Sequence, residues 1–357
     1  MYLIISGILI VLGFIYKNNK KIFNLQFLWI WILTSFNNGG PDYDGYQSMF
    51  KSFSSSLDFN FLTGGKLYSS GIYLFNKLGC SLEGYIFFTT TIALLLMYIL
   101  IKKYSLSISF VNSCMMLFPL TDNIIQKRNF LAMIAVLYGI LSLIEKNRNY
   151  IIKFLFLVLV SYNFHILGIV YLFLILIPYF SLKNIKIISC IGTILIMIII
   201  PFLDEVANLC FGFASSKVHL YFEDLSMRLP LYKVSFFVFI HLIMFYFTSF
   251  FYKTLKEKNK FSIFIMKLNY LFLLIIPLYY YNSTFLRFYR NIFLLNYIFI
   301  GDCLAKEKMN SLNRYVEILF IIYILCLFLI MYALFGQLKY EGLIQPLFEY
   351  NYILKFL

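Results

Sequence analysis

Long apolar runs follow one another along almost the whole chain, separated by short polar breaks rich in Lys, Asn and Gly. A helix crossing the ~30 Å hydrocarbon core of a bilayer needs roughly 20 apolar residues. Runs of this kind predict spans at 2–16, 22–36, 84–101, 105–120, 129–144, 150–165, 166–181, 185–203, 232–252, 261–281, 288–304 and 315–336. Within 150–181 the only polar break is Tyr162-Asn163-Phe164-His165. The pattern therefore predicts an all-α polytopic membrane protein with about twelve transmembrane helices, the range being about ten to thirteen. Residues 1–357 read as a single transmembrane domain with no soluble domain and no convincing internal repeat. The segment from Tyr2 to Tyr16 lacks a basic leader and a small-residue cleavage site, so it reads as a retained first span.

Composition strengthens this picture. Hydrophobic residues make up 62% of the chain, charged residues only 13%, and mean hydropathy is +0.83. That leaves too little charged surface for a soluble domain. The net charge of +14 does not mark a nucleic-acid binder, because the lysines sit in short clusters between spans. The clusters at 17–21, 102–103, 145–148, 183–186, 253–260 and 306–314, with Lys153 and Lys267, hold 18 of the 30 Lys and Arg and fall at alternate ends of the spans. The positive-inside rule makes that side cytoplasmic and puts both termini outside. The outer face then carries two larger segments, 37–83 and 204–231. Six cysteines show no CxxC pair, so neither a disulfide framework nor a zinc site is expected. The bias toward Ile, Phe, Lys, Asn and Tyr suggests an AT-rich coding region and a bacterial source.

The arginines are distributed differently from the lysines. Arg128, Arg228, Arg287 and Arg290, four of the six, fall on the outer side, against the charge gradient. A planar guanidinium binds phosphate in bidentate fashion and stays charged. Arg287 and Arg290, at i and i+3, share one helix face, and with Arg128 they suit a pyrophosphate. The alternative is that they anchor spans at the interface. The outer segment Asn37-Asn38-Gly39-Gly40-Pro41-Asp42-Tyr43-Asp44-Gly45-Tyr46 offers two carboxylates beside tyrosines. Asp42 or Asp44 suits a general base or a sugar hydroxyl, and Tyr43 and Tyr46 suit pyranose faces; an ordinary polar loop is the plain alternative. The Asp-x-Asp spacing is too common to mark a metal site. His165, at the outer end of a span, reads equally as a proton acceptor or as a satisfied interfacial histidine. His241 and His219 carry less weight, and Tyr279-Tyr280-Tyr281 fits an interfacial aromatic belt better than a sugar platform.

Taken in order, Asp42-Tyr43-Asp44-Gly45-Tyr46, Gln126-Lys127-Arg128-Asn129-Phe130-Leu131-Ala132, the basic turn Glu145 to Arg148 leading to His165, and Arg287-Phe288-Tyr289-Arg290 resemble the EpsG-like and Wzy-type polysaccharide polymerases of bacterial surface-glycan clusters. The resemblance covers residues 37–300 in order and spacing. Where the family usually has Arg-Gln, this chain has Gln126-Lys127-Arg128, so Lys127 is a second candidate for the functional cation. The resemblance implies a GT-C-like helical bundle with an outward-facing cavity in the bacterial plasma membrane. Its implied activity is transfer of an undecaprenyl-pyrophosphate-linked oligosaccharide onto the terminal sugar hydroxyl of another lipid-linked repeat, in O-antigen or capsule synthesis. Asp42, Asp44 or His165 would be the base. Arg128, Lys127, Arg287 and Arg290 would hold the pyrophosphate, and Tyr43, Tyr46 and Arg228 the sugars. Fixed arginines stabilise the leaving pyrophosphate, so neither a metal nor a cofactor is expected. The expected partners are the lipid-linked oligosaccharide and the bilayer, with a chain-length regulator as a candidate that no feature encodes.

Two other readings compete. A lipid-linked oligosaccharide flippase would carry charges across the midplane and show two related halves, whereas here the unusual residues gather at one face. An O-antigen ligase shares the donor chemistry, and a larger late outer loop than 204–231 would favour it.

Overall fold

The computed structural model describes residues 2–52, 64–199, 202, 205, 229–306, 311–334 and 339–356. Among these the regular structure is helical, with one isolated antiparallel bridge, Asn37 to Asn351. Among the described residues, six helical stretches are long and apolar enough to cross a membrane: Leu82–Tyr104, Lys127–Glu145, Leu182–Ile199, Leu231–Thr254, Lys260–Tyr280 and Ser311–Ala333. Four shorter apolar helices, Tyr2–Ile15, Ile108–Leu117, Tyr150–Phe164 and Ile166–Tyr179, coincide with further apolar runs of the sequence.

The chain divides into two compact units. The first comprises Met1–Gly139, Ile152–Leu172 and Gly301–Leu357; the second comprises Ile140–Ile151 and Phe173–Ile300.

In the first unit, α1 (Tyr2–Ile15), α2 (Lys20–Ser35), α5 (Leu82–Tyr104) and α6 (Ile108–Leu117) pack together. Asn19 caps α2 by accepting from the backbone N–H of Lys21 and Ile22, and Ser81 caps α5 through the N–H of Gly84. Gly13 on α1 leaves no room for a side chain against Gln26 and Ser113. Small residues permit such close helix contact in lipid, where apolar burial alone gives little preference for protein over acyl chain. The gap is closed by polar bonds: Gln26 Nε2 donates to Leu9 O (3.0 Å) and Ser113 Oγ (2.9 Å), and Ser113 Oγ donates to Ile10 O (2.8 Å).

The expected outer segment 37–83 contains structure that hydropathy does not reveal. Two short helices, α3 (Tyr43–Ser52) and α4 (Lys66–Lys77), lie within it. The run at 105–120 ends earlier than expected, at Leu117. A short α7 (Leu120–Ile125) follows, and Gln126 separates it from α8 (Lys127–Glu145). α9 (Tyr150–Phe164) leads into a 3₁₀ segment, Ile166–Tyr179.

The opposite end of this unit gathers the residues that alternation assigns to the basic side. Lys17 pairs with Glu317 at 2.5 Å. Lys17 O accepts from Ser109 and Phe110, and Asp302 Oδ1 accepts from the N–H of Leu106 at 2.7 Å.

In the second unit, α10 (Leu182–Ile199), α11 (Leu231–Thr254) and α12 (Lys260–Phe272, continuing as 3₁₀ helix through Tyr280) pack against one another. Then come α13 (Leu286–Arg290) and α14 (Phe293–Lys306), where a single span at 288–304 was expected. Helices differ sharply in enclosure. In the most apolar window of α8, 83% of residues are buried, against 11% for α10. Ile187, Ile191, Ile194 and Ile198 of α10 are exposed, as a lipid-facing helix requires. The chain continues with α15 (Ser311–Phe328, ending in a π-helical turn to Leu334), α16 (Lys339–Leu343) and α17 (Gln345–Glu349), all in the first unit.

Candidate functional site

In the first unit, four chain segments that are far apart in sequence meet around Arg128. α8 begins at Lys127, so Arg128 sits in its first turn, at the end of the helix dipole that carries partial positive charge. Arg128 Nε donates to Phe164 O at 3.3 Å, tying it to the end of α9. Its guanidinium lies 5.5 Å from the Tyr68 ring centre, a cation–π contact with α4. A side chain at Gly65 would collide with the same guanidinium. Gly64 and Gly65 both have left-handed backbones (φ +71° and +70°), and the Gly65 N–H donates to Tyr162 O at 3.0 Å. The glycine pair is therefore a turn that lets α4 start directly beneath the arginine.

Tyr68 is the centre of an aromatic cluster. Its ring meets Tyr46 of α3 at 5.6 Å and Tyr85 of α5 at 5.3 Å, and Tyr85 donates to Tyr68 O at 3.0 Å. The Tyr68 hydroxyl is buried and has no hydrogen-bond partner among the described residues. Burial pushes its pKa well up, with the Tyr46 and Tyr85 hydroxyls adding to the rise and the Arg128 charge opposing it. It therefore stays a proton donor across the biological pH range.

Asp42, immediately before α3, is solvent-exposed and within electrostatic reach of both Tyr68 and Lys127. Lys127 itself is buried, 2% exposed, and donates to Ile124 O at 2.8 Å, satisfying a carbonyl at the end of α7. Tyr46 lies four residues after Asp42, on the same side of α3, while Asp44 is rotated about 200° away from it. Asp44 is exposed. Tyr43 is taken up by the fold: its hydroxyl donates to Glu83 Oε1 at 2.6 Å. Burial and that carboxylate raise its pKa above the usual tyrosine value.

His165 follows Phe164, the carbonyl of which accepts from Arg128, and its Nδ1 accepts from the Leu167 N–H at 3.3 Å. A neutral ring held this way carries its proton on Nε2 and presents a donor.

In the second unit, Arg287 and Arg290 share the short α13, with Arg287 half-buried and Arg290 4% exposed. Between them Tyr289 is fully buried. It stacks on His241 (3.5 Å between centres, 9° between planes) and donates to Asn269 Oδ1 at 2.7 Å. Asn269 and Asn296 exchange two amide hydrogen bonds, of 2.7 and 3.1 Å. Tyr279, expected in an interfacial belt, is instead fully buried with its hydroxyl 2.7 Å from His241 Nδ1.

Among the expected site residues, the structure thus brings together Asp42, Tyr46, Lys127, Arg128 and the backbone beside His165. Arg228 and His219 lie outside the described residues. Sequence reasoning missed Gly64-Gly65, Tyr68 and Tyr85. The Gly-Gly dipeptide was a turn signal in plain view, but nothing local indicated that Arg128 would rest on Tyr68.

The class of protein that emerges is a helical membrane protein in which Arg128, at the start of one helix, rests on a cluster of buried tyrosines. The chain belongs to the EpsG family, whose family model matches residues 20–352. No curated protein and no solved structure matches it. Family membership supports a polysaccharide-polymerase role in membrane glycan synthesis.

Proposed function

We propose that the protein lengthens surface polysaccharide by moving an undecaprenyl-pyrophosphate-linked oligosaccharide chain onto the terminal sugar hydroxyl of another lipid-linked repeat, in O-antigen or capsule synthesis. The observation that carries this reading is Arg128 at the start of α8, resting on Tyr68 with Asp42 and Lys127 beside it. Helix N-termini bind phosphate through free N–H groups and dipole charge, and Arg128 adds a fixed cation. As the bond between the anomeric carbon and the pyrophosphate oxygen breaks, negative charge grows on the leaving group. Cations already in place stabilise it without reorganising. Asp42 takes the proton of the attacking hydroxyl; it is the carboxylate beside the cations, whereas Asp44 lies on another side of α3. The buried Tyr46–Tyr68–Tyr85 cluster supports Arg128 and holds its guanidinium in place, and Tyr46 at its edge is the candidate nearest a bound sugar. Arg287 and Arg290 are the second unit's candidates for pyrophosphate contact. No metal or cofactor is required in this scheme.

The same reading puts about twelve spans, in a GT-C-like bundle with an outward-facing cavity, in the bacterial inner membrane. The site then lies on the periplasmic or outer face, opposite the lysine-rich end. It also leaves room for a chain-length regulator as partner.

The test is deletion of the gene in its host, with wild type, Arg128→Ala and Asp42→Asn restored in parallel and the surface polysaccharide resolved on a gel. A single repeat on the lipid core in the deletion strain, with the ladder restored by wild type alone, is the expected result. If no repeat reaches the surface in the deletion strain, the protein is a flippase or ligase instead.

A further inference from the structure

The residues leading into Asp42 are held by a segment more than three hundred residues away. Asn37 and Asn351 are 1% and 0% exposed and form the antiparallel bridge. Around it the Asn38 N–H donates to Tyr350 O (3.0 Å) and the Tyr352 N–H to Phe36 O (2.8 Å). Asn37 Nδ2 donates to Pro346 O at 3.0 Å. Asn351 uses its whole amide. Nδ2 donates to Ile32 O at 2.7 Å, a carbonyl in the last turn of α2. Oδ1 accepts from the N–H of Ile353 and Leu354, each at 3.2 Å. Gly39 lies against the Tyr350 ring so closely that a β-carbon would fall inside it. Tyr2 of α1 backs the arrangement, stacking on Phe348 and donating to Leu354 O at 2.8 Å.

Gly39-Gly40-Pro41 would be among the most mobile stretches of a chain left to itself, since glycine loses more conformational freedom on ordering than any other residue. Gly40 takes φ +100° here, and Asp42 follows two residues later. The bonds at 36–39 supply the order that the glycines withhold. A misplacement of about 1 Å can cost about 100-fold in turnover.

We propose that Gln345–Leu354 is a positioning clasp for the reaction: Asn351 and Tyr350 fix residues 36–40 so that Asp42 meets the acceptor hydroxyl beside the start of α8. The inference rests on the site assignment made above. Asn351 is a positioning residue and touches no reacting atom.

The experiment uses the full chain in lipid vesicles, with lipid-linked repeats extracted from the deletion strain as substrate, and separates kcat from KM. Asn351→Leu and Asn351→Ala lower kcat by about 10- to 100-fold with KM within about threefold of wild type, because binding groups are untouched. Asn351→Asp, which loses donation to Ile32 O, does not rescue. Gly39→Ala lowers kcat likewise, and adding Tyr350→Ala to it recovers several-fold of the loss. The unfolding midpoint of each variant, measured alongside, stays near wild type if the loss is one of positioning and falls with kcat if it is a general folding defect. Should Asn351→Leu fail to fold, the Gly39 and Tyr350 pair decides. Unchanged kcat in the Asn351 variants, a rise in KM alone, or no recovery in the double variant would overturn the clasp. Asp42→Asn and Arg128→Ala run alongside separate the two levels. If both keep wild-type turnover, the site assignment is wrong. If they abolish it while Asn351→Leu and Gly39→Ala turn over normally, only the clasp is wrong.

Discussion

Two polar regions of this molecule, one in each unit, satisfy their groups in opposite ways. In the second unit the amides of Asn269 and Asn296 exchange hydrogen bonds, and the Tyr289 hydroxyl completes the set. All three residues are completely buried. In the first unit the Arg128 guanidinium lies on a ring face, the Tyr68 hydroxyl has no hydrogen-bond partner among the described residues and Asp42 faces solvent. A buried polar group left unmatched costs about 1–3 kcal/mol, so such an arrangement persists where something else completes it. The amide network holds helices together; the arginine cluster is the one we propose receives a ligand.

Substitutions should separate these two roles. The largest effect falls on the open cluster: Arg128→Ala lowers polymerisation by about 100-fold or more while the thermal unfolding midpoint moves little. Arg128→Lys recovers little of it, because an ammonium lacks the planar fork. Wild-type ladders from Arg128→Ala would erase the distinction. Next, Gly65→Ala forces a β-carbon into the guanidinium and a side chain into a left-handed backbone, at about 1–2 kcal/mol. Activity falls about 10-fold by displacement of the arginine, measured by the same elongation assay.

On the closed network the order reverses, with stability moving more than activity. Asn269→Leu or Asn296→Leu each destabilise by about 1–2 kcal/mol. The double variant loses less than the sum, because replacing both partners leaves no orphaned amide between them. Denaturation of the purified chain measures both.

The smallest effect is one of pH. Tyr43 has its pKa raised above 10 by burial and by Glu83. A raised value means the hydroxyl's contribution is fully present below about pH 10 and is lost as pH rises through the higher folded value. The unfolding midpoint should therefore be insensitive to this group at neutral pH and fall in strong alkali. Tyr43→Phe should show a shallower fall.

The six long apolar helices were legible because hydropathy is a local property. The run expected at 232–252 is the helix Leu231–Thr254, and that at 129–144 is Lys127–Glu145. Breaks inside apolar runs were harder. The turn at Asn291-Ile292 that separates α13 from α14 carries no proline or glycine to announce it. The helices α3 and α4 were invisible to a search for apolar stretches, since each is half polar and rests on neighbours. For the candidate site, Asp42 and Arg128 could be singled out from residue type. Their common centre could not, because Tyr68 joins them through tertiary contacts. Tyr279 failed as a belt residue for a related reason: a hydroxyl that finds His241 inside the protein has no need of the headgroup layer.

The bridge between Asn37 and Asn351 also has a consequence for timing. A ribosome adds about 5–20 residues each second, and Asn37 and Pro346, which share a hydrogen bond, are 309 positions apart. Roughly 15–60 s therefore pass between synthesis of the two. Throughout that interval the loop before Asp42 is already made while the segment that pairs with it is not, so these bonds form only after residues 346–352 have been synthesised.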